Sequence, residues 1–325
     1  MRSIVTTLTQ MAKSMASIWI FFPPAFGASA PPQETESVIQ RDALGKSPQN
    51  SDEADQLITN RQLRAISGSL SRLSVNTTWV HSAGSLSAPF DIVRPNITAA
   101  GDTATLQSLV GDVGLRYRMN TKESLSLSVG LSMVAPFHYS IDTNNALLQN
   151  EYDQNAHVLT VNDPTLNFRH LDKFSGIQSI TQASASLLTA AFKRNAGFRS
   201  SFMVSQTMMY ELGKSGLSIG AVVQGTLNTF GGDADSSNRP TFILGFYPSI
   251  EYIINEVLNL RTVSGVWVNE FRRNGTSFNR IIYQSVGLGI SVTRDVFLYP
   301  NIQFLPGELR ADKTNIGLTA NVNVF

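Results

Sequence analysis

The stretch ESLSLSVGLSMV, Glu123–Val134, alternates between apolar and small polar residues at almost every position. One parity carries Leu125, Leu127, Val129, Leu131 and Met133, and the other carries serines and Gly130. A period of two predicts a β-strand, because successive side chains of a strand point to opposite faces. One face is large and aliphatic, and the other is small and uncharged. We therefore expect lipid on the first face and an internal lumen on the second.

The same alternation recurs along most of the chain and predicts twelve strands. They span 71–82, 107–119, 123–135, 162–173, 177–190, 198–212, 216–229, 240–254, 257–271, 279–293, 296–304 and 313–325. Most have the length that a tilted membrane-spanning strand needs. The predicted fold is all-β, a transmembrane antiparallel β-barrel of about twelve strands over residues 70–325 with a short N-terminal periplasmic extension.

The connections between these strands alternate between tight and longer links. Tight turns are predicted at NTK, FSG, GKS, NE and RD, whereas the intervening links include 83–106 and 136–161. Outer-membrane barrels place short turns in the periplasm and longer loops outside. This rule puts both barrel termini in the periplasm. It also places Tyr117, Tyr210 and Tyr252 on the apolar face near the periplasmic ends, where an aromatic girdle is expected.

Residues 1–69 differ from the predicted barrel. Residues 1–30 have few charges and a short apolar core followed by small residues, which predicts an export signal peptide. Residues 31–69 are polar and predict a periplasmic N-terminal extension, partly disordered. Its part from about Asp52 to Ile66 predicts a short helix or plug. No later apolar run approaches the roughly 20 residues of a membrane helix.

Composition excludes several classes of function. The chain has 325 residues, a net charge of +1 and no cysteine, which excludes disulfides, thiolate metal sites and cysteine nucleophiles. No phosphate-binding loop, zinc spacing or nucleic-acid patch is visible, so we expect no cofactor, no metal site and no nucleic-acid partner.

Charged residues on the polar parity are the candidate lumen-lining residues. They are Arg72, Asp112, Arg116, Arg118, Arg169, Lys173, Glu211, Glu251 and Arg261. They could form ion pairs that fill the periplasmic half of the lumen, or a basic constriction that selects solutes. A third hypothesis is that the acidic run Asp52, Glu53 and Asp55 docks among them as a plug.

An enzyme remains an alternative, because a twelve-stranded outer-membrane barrel can be a phospholipase with a lipid-facing histidine and serine. The four histidines are His81, His138, His157 and His170. Of these, His170 could meet Ser179 across a hairpin, but near the periplasmic end, away from an outer-leaflet substrate. We therefore expect no catalytic residues.

The hairpins GDVGLRYRMNTKESLSLSVGLS, SGIQSITQASASL and YPSIEYIINEVLNLRT resemble the transporter family linked to the meta-pathway of phenol degradation. The resemblance covers about residues 70–325. It implies a Gram-negative outer-membrane channel for passive transport of small hydrophobic or aromatic solutes. The terminal Phe325 is typical of recognition by the barrel-assembly machinery, although Asn323 replaces the usual apolar residue. The alternative is a structural or surface-interaction barrel with a closed lumen.

Overall fold

The computed structural model describes residues 55–97, 104–138, 159–231, 239–279 and 282–324. The strands of this part are β1 (Leu73–Ser85), β2 (Val93–Pro95), β3 (Ala104–Leu106), β4 (Ser108–Arg118), β5 (Glu123–Val134), β6 (Thr160–Phe174), β7 (Ile177–Leu187), β8 (Phe198–Glu211), β9 (Leu217–Phe230), β10 (Pro240–Ile253), β11 (Leu258–Gly265), β12 (Trp267–Arg272), β13 (Ser277–Asn279), β14 (Tyr283–Thr293), β15 (Val296–Phe304) and β16 (Asn315–Val324). Two short α-helices are α1 (Arg61–Ser67) and α2 (Ala191–Asn195), and Ala311–Lys313 form a 3-10 turn. The predicted signal peptide lies outside the described residues, as does the extension up to residue 54. Within them, no helix is both long and apolar enough to cross a membrane.

The strands close into an antiparallel barrel. Each barrel strand pairs with its neighbours along the chain, β16 pairs with β1, and β10 pairs with both β11 and β12. The segments β11 and β12 are two parts of one barrel strand, and β13 pairs only with β12. The small β2–β3 hairpin forms a separate sheet in the link after β1. The predicted twelve-stranded antiparallel barrel is confirmed.

The ninth predicted strand, 257–271, is not continuous. Opposite Phe246–Ser249 of β10, the partner strand runs from Val263 to Trp267 and so contains one extra residue, a β-bulge. An extra residue reverses the parity beyond it. Asn259 and Arg261 are buried before the bulge, whereas Val268 and Glu270 are buried after it.

The two faces of the barrel differ as the alternation predicts. In β5, Ser124, Ser126 and Ser128 are buried, whereas Leu127 is 61% exposed and Leu125 is also exposed. The barrel is therefore the inverse of a soluble protein, with aliphatic side chains outside and polar side chains inside. Such an outer face suits hydrocarbon as its solvent.

The lengths of the connections also alternate. Links of two to five residues join β4 to β5, β6 to β7, β8 to β9, β10 to β11 and β14 to β15. The opposite end of the barrel carries the longer links, including the β2–β3 hairpin and α2. Tyr117, Tyr210 and Tyr252 are exposed on the outer face near the tight turns. We refer to the end of the barrel that carries the tight turns as the tight-turn end.

Candidate lumen site

The chain preceding β1 lies inside the tight-turn end of the barrel. Its helix α1 is capped at the N-terminus by Asn60, whose side-chain Oδ1 accepts a hydrogen bond of 3.1 Å from the backbone N–H of Leu63. It ends at Gly68, which has φ of +89°, a conformation that favours glycine. A Cβ atom on Gly68 would also collide with the Arg116 guanidinium. Helix termination and close approach of the barrel wall therefore both require glycine here.

Five consecutive carbonyl oxygens at the end of α1, from Ala65 to Ser69, accept hydrogen bonds from barrel side chains. The donors are Asn323 to Ala65 (2.8 Å), Arg169 to Ile66 (2.6 Å), Arg116 to Ser67 (2.7 Å), Arg294 to Gly68 (3.0 Å) and Arg118 to Ser69 (2.7 Å). The last carbonyls of a helix have no partner within the helix and carry partial negative charge. The arginines therefore satisfy and neutralise the C-terminal end of α1.

The start of α1 contacts the opposite, acidic side of the lumen. The backbone N–H groups of Thr59 and Asn60 each donate to Gln178 Oε1 at 2.8 Å. The hydroxyl of Thr59 donates to Glu211 at 2.8 Å, and the amide of Asn60 donates to Glu251 at 3.3 Å. Carboxylates near the first turn face the partial positive charge of the helix dipole, and arginines near the last turn face its partial negative charge, so both interactions are favourable. The charged side chains that bond directly to the two ends of α1 thus match the direction of its dipole.

A small apolar cluster completes the contact. Ile58 and Leu63, both essentially fully buried, pack against Leu171, Ile180 and Met209 of β6, β7 and β8. The last three occupy lumen-facing positions, which are otherwise mostly polar. Their apolar character on the polar parity is a sequence signal that could have revealed a docking surface for the N-terminal segment.

Arg294 is a site residue that the sequence analysis missed, because it lies in the tight turn between β14 and β15. Its guanidinium holds Asp55 through contacts of 2.9 and 3.0 Å and also bonds to Asp295 at 3.2 Å. Burial raises the pKa of the Asp295 carboxyl, an effect that Arg294 opposes. Of the proposed acidic run, Asp55 makes this ion pair, whereas Asp52 and Glu53 lie outside the described residues.

Replacing Arg294 with glutamine should loosen the N-terminal segment by about 1–2 kcal/mol, because a half-buried ion pair and a charge-assisted hydrogen bond are lost. We expect trypsin to cleave at Arg61 or Arg64 about tenfold faster in the folded barrel. Asp55→Asn should produce much of the same effect, and the double variant should be less than additive.

The matched control is Arg310→Gln, since Arg310 forms an exposed ion pair with Asp312 in the link between β15 and β16, at the opposite end of the barrel. Equal acceleration in Arg310→Gln and Arg294→Gln would contradict the assignment.

The structure places most of the predicted lumen residues around the N-terminal segment. Lys173 donates to the backbone carbonyl of Gln56 at 3.2 Å. Arg261 lies opposite Glu251 in the β10–β11 register, and its guanidinium lies 5.3 Å from the Tyr299 ring centroid. The remaining members of this group are those described above, Arg116, Arg118, Arg169, Glu211 and Glu251.

Asp112 and Arg72 differ from the rest of the predicted set. Asp112 faces the lumen farther from the tight turns, lies opposite Thr78 in the β1–β4 register and lies within electrostatic range of Arg116 and Arg169. Arg72 does not line the lumen, which corrects its predicted position. It precedes β1, is exposed, and donates to the hydroxyl of Tyr117 on the outer face at 2.6 Å. The backbone carbonyl of Arg72 accepts a hydrogen bond of 2.8 Å from the N–H of Arg118, but its long side chain turns to the outer face to reach Tyr117.

The histidines form no catalytic pair in the described residues. His170 lies opposite Thr181 in the hairpin, and Ser179 lies opposite Asp172, so Ser179 is two residues away from the position that would face His170 directly. His170 instead contacts Glu123 at 3.5 Å. His157 lies outside the described residues. No group of three metal-ligating His, Asp or Glu residues occurs in the described part.

A cavity of about 40 Å³ lies between α1 and the lumen wall formed by β1, β4, β6 and β16. Its lining includes Ala65 and Ile66 of α1, Arg116 and Arg169. Asparagines of β1 and β16 supply most of the remaining polar groups. It is the part of the described lumen where α1, two arginines and several amides meet.

Comparison with known proteins yields no family model and no curated protein that matches the sequence. Among solved structures, the chain is similar to an outer membrane channel from Pseudomonas putida F1, with 12% identity, 79% of this chain and 97% of the other covered, and a TM-score of 0.47. It is also similar to the NanC porin (9% identity, 77% and 98% covered, TM-score 0.42). A third is the OmpF porin of Salmonella typhi in complex with daunomycin (9% identity, 78% and 97% covered, TM-score 0.33). The likeness lies in the barrel fold, and the resemblance to the phenol-degradation transporter family stays a prediction.

Proposed function

We propose that the protein is a passive outer-membrane channel for small solutes. The observation that carries the proposal is the inverted barrel, whose exposed aliphatic face suits lipid and whose lumen is lined by hydroxyls, amides, glycines and charges. A polar lumen inside an apolar wall supports a water-accessible path across a bilayer. The alternating link lengths support an orientation with the tight-turn end in the periplasm.

The N-terminal segment, residues 55–69, acts in this proposal as a plug that narrows the periplasmic half of the lumen. The hydrogen bonds to its carbonyls, the Asp55–Arg294 ion pair and the apolar cluster around Leu63 support a docked resting state. Twelve strands enclose little space once side chains point inward. A helix across that space therefore limits the passage of solutes. Solutes would pass either after the helix moves or through a narrow path beside it.

The solute class is proposed from two sources. The family resemblance favours small hydrophobic or aromatic solutes. The described lumen adds a preference for solutes with polar groups, since Asn76, Asn321 and Asn323 present amides and Arg116 and Arg169 present guanidinium groups to the cavity.

The C-terminal strand is proposed to serve assembly by the barrel-assembly machinery in the outer membrane, ending at Phe325. Asn323, the unusual residue near this end, is buried in the lumen and donates to the carbonyl of Ala65. Its contact with the plug supplies a physical reason for a polar residue at that position.

Single-channel recording of the refolded protein, with and without residues 31–69, tests the channel and the plug together. We expect small conductance for the full chain and several-fold larger conductance for the truncated chain. Liposome swelling with small sugars should show the same order. Unchanged conductance after truncation would exclude the plug while leaving the channel intact.

A structural or surface-interaction barrel is the second candidate function. It is favoured by the burial of Arg116, Arg118, Glu251 and Arg261, which fill the tight-turn end of the lumen. Absence of conductance and of swelling in both forms would select this function over transport. Hydrolysis of phospholipid by the same sample would instead support a phospholipase.

A further inference from the structure

The cavity above α1 has an unusual balance of charge. Its charged lining residues are Arg116 and Arg169, and no carboxylate lines it in the part of the chain that the structure describes. Asp112 lies near both arginines and opposite Thr78 in the β1–β4 register, but it does not line the cavity. One neighbouring carboxylate for two guanidinium groups leaves the wall net positive.

The two arginines have more hydrogen-bond donors than the plug uses. A guanidinium has five N–H donors. Arg169 uses Nη1 for Ile66 and Nε for Gln182, and Arg116 uses Nη1 for Ser67. Both side chains therefore retain donors beyond those that hold α1.

Two buried polar atoms of the lining have no hydrogen-bond partner among the described residues. They are Nε of Arg116, whose side chain is 2% exposed, and Oδ1 of Asn76, which is 5% exposed. Buried polar groups in proteins are nearly always paired, so such atoms at a cavity wall point to a ligand or bridging solvent. The site offers cationic donors together with a neutral acceptor.

We infer that this cavity is a binding subsite for the carboxylate group of a small organic anion in the lumen. Planar guanidinium groups match carboxylate oxygens in geometry as well as in charge. The remainder of the solute would extend into the lumen away from α1. This inference deepens the proposed channel function and rests on it, because the subsite is reached only by solutes that enter the barrel.

Substitution of Asn321 tests the subsite without touching the arginines that hold α1. Asn321 lines the cavity and accepts a hydrogen bond of 3.2 Å from Thr78. Asn321→Asp keeps that acceptor and adds a negative charge to the wall. The matched control is Gln224→Glu, which adds the same charge to the lumen face of β9, outside the cavity lining.

The measurement is a fluorine NMR titration of the full chain in detergent with 4-fluorobenzoate, and with neutral 4-fluorobenzamide as the reference probe. We expect saturable benzoate binding, at least tenfold weaker benzamide binding, and about tenfold loss of benzoate affinity in Asn321→Asp. Gln224→Glu should change the benzoate affinity less than about twofold, because its added charge lies outside the cavity lining.

Equal binding of the two probes to the unaltered protein would overturn the inference, and so would equal losses in both variants, which would indicate diffuse lumen charge. Because the titration does not depend on conduction, its outcome is separate from that of the channel. Benzoate binding in a barrel that never conducts would support the subsite and reject transport, whereas conduction without benzoate binding would reject the subsite alone.

Discussion

Leu63→Asp should release the N-terminal segment and produce the largest functional change of any single substitution. Leu63 is 0% exposed and packs with Ile58 against Leu171, Ile180 and Met209. Truncating a buried leucine costs about 2–5 kcal/mol, and an unpaired carboxylate in the same place costs more. A loss of about 3 kcal/mol lowers the ratio of docked to undocked segment more than a hundredfold.

The measurement is single-channel recording, in which Leu63→Asp should reproduce the conductance of the chain lacking residues 31–69. The control is Gln56→Asp, which adds the same charge to an exposed position of the same segment. Conductance of Leu63→Asp equal to that of the full chain, in a correctly folded barrel, would argue against the plug.

Leu127→Lys should impair membrane insertion severely. Leu127 is 61% exposed on the outer face and lies between Leu115 of β4 and Leu166 of β6, both of which are also exposed. A lysine on the lipid face near the middle of a bilayer costs about 2–4 kcal/mol. We expect the folded fraction in vesicles, measured by heat-modifiable electrophoretic mobility, to fall correspondingly.

Ser128→Lys is the control on the other face of the same strand. Ser128 faces the lumen opposite Gly114, with Asp112 and Arg116 each one diagonal step away, so the new charge meets one carboxylate and one guanidinium rather than lipid. Folding of this variant should fall by much less than that of Leu127→Lys. The reverse order would mean that the assignment of faces is wrong.

The barrel could be predicted from the sequence because its cause is local. A strand with lipid on one side and a polar lumen on the other must alternate, and β5 shows this alternation without reference to any distant residue. The tight turns follow equally short patterns. The bulge between β11 and β12 escaped prediction, because an extra residue shows itself only against the register of β10.

The candidate site was predictable in its residue types but not in its partners. Alternation placed Arg116, Arg118 and Arg169 inside the barrel, but nothing in the sequence pattern indicated that they would donate hydrogen bonds to backbone carbonyls at the end of α1. Arg294 and Asp55 are 239 positions apart in the chain, and only closure of the barrel brings them together. Whether a side chain points into the lumen or outward follows from its position in the alternation of one strand. The group to which a lumen side chain bonds depends on where α1 lies, and α1 is held by strands from the whole chain.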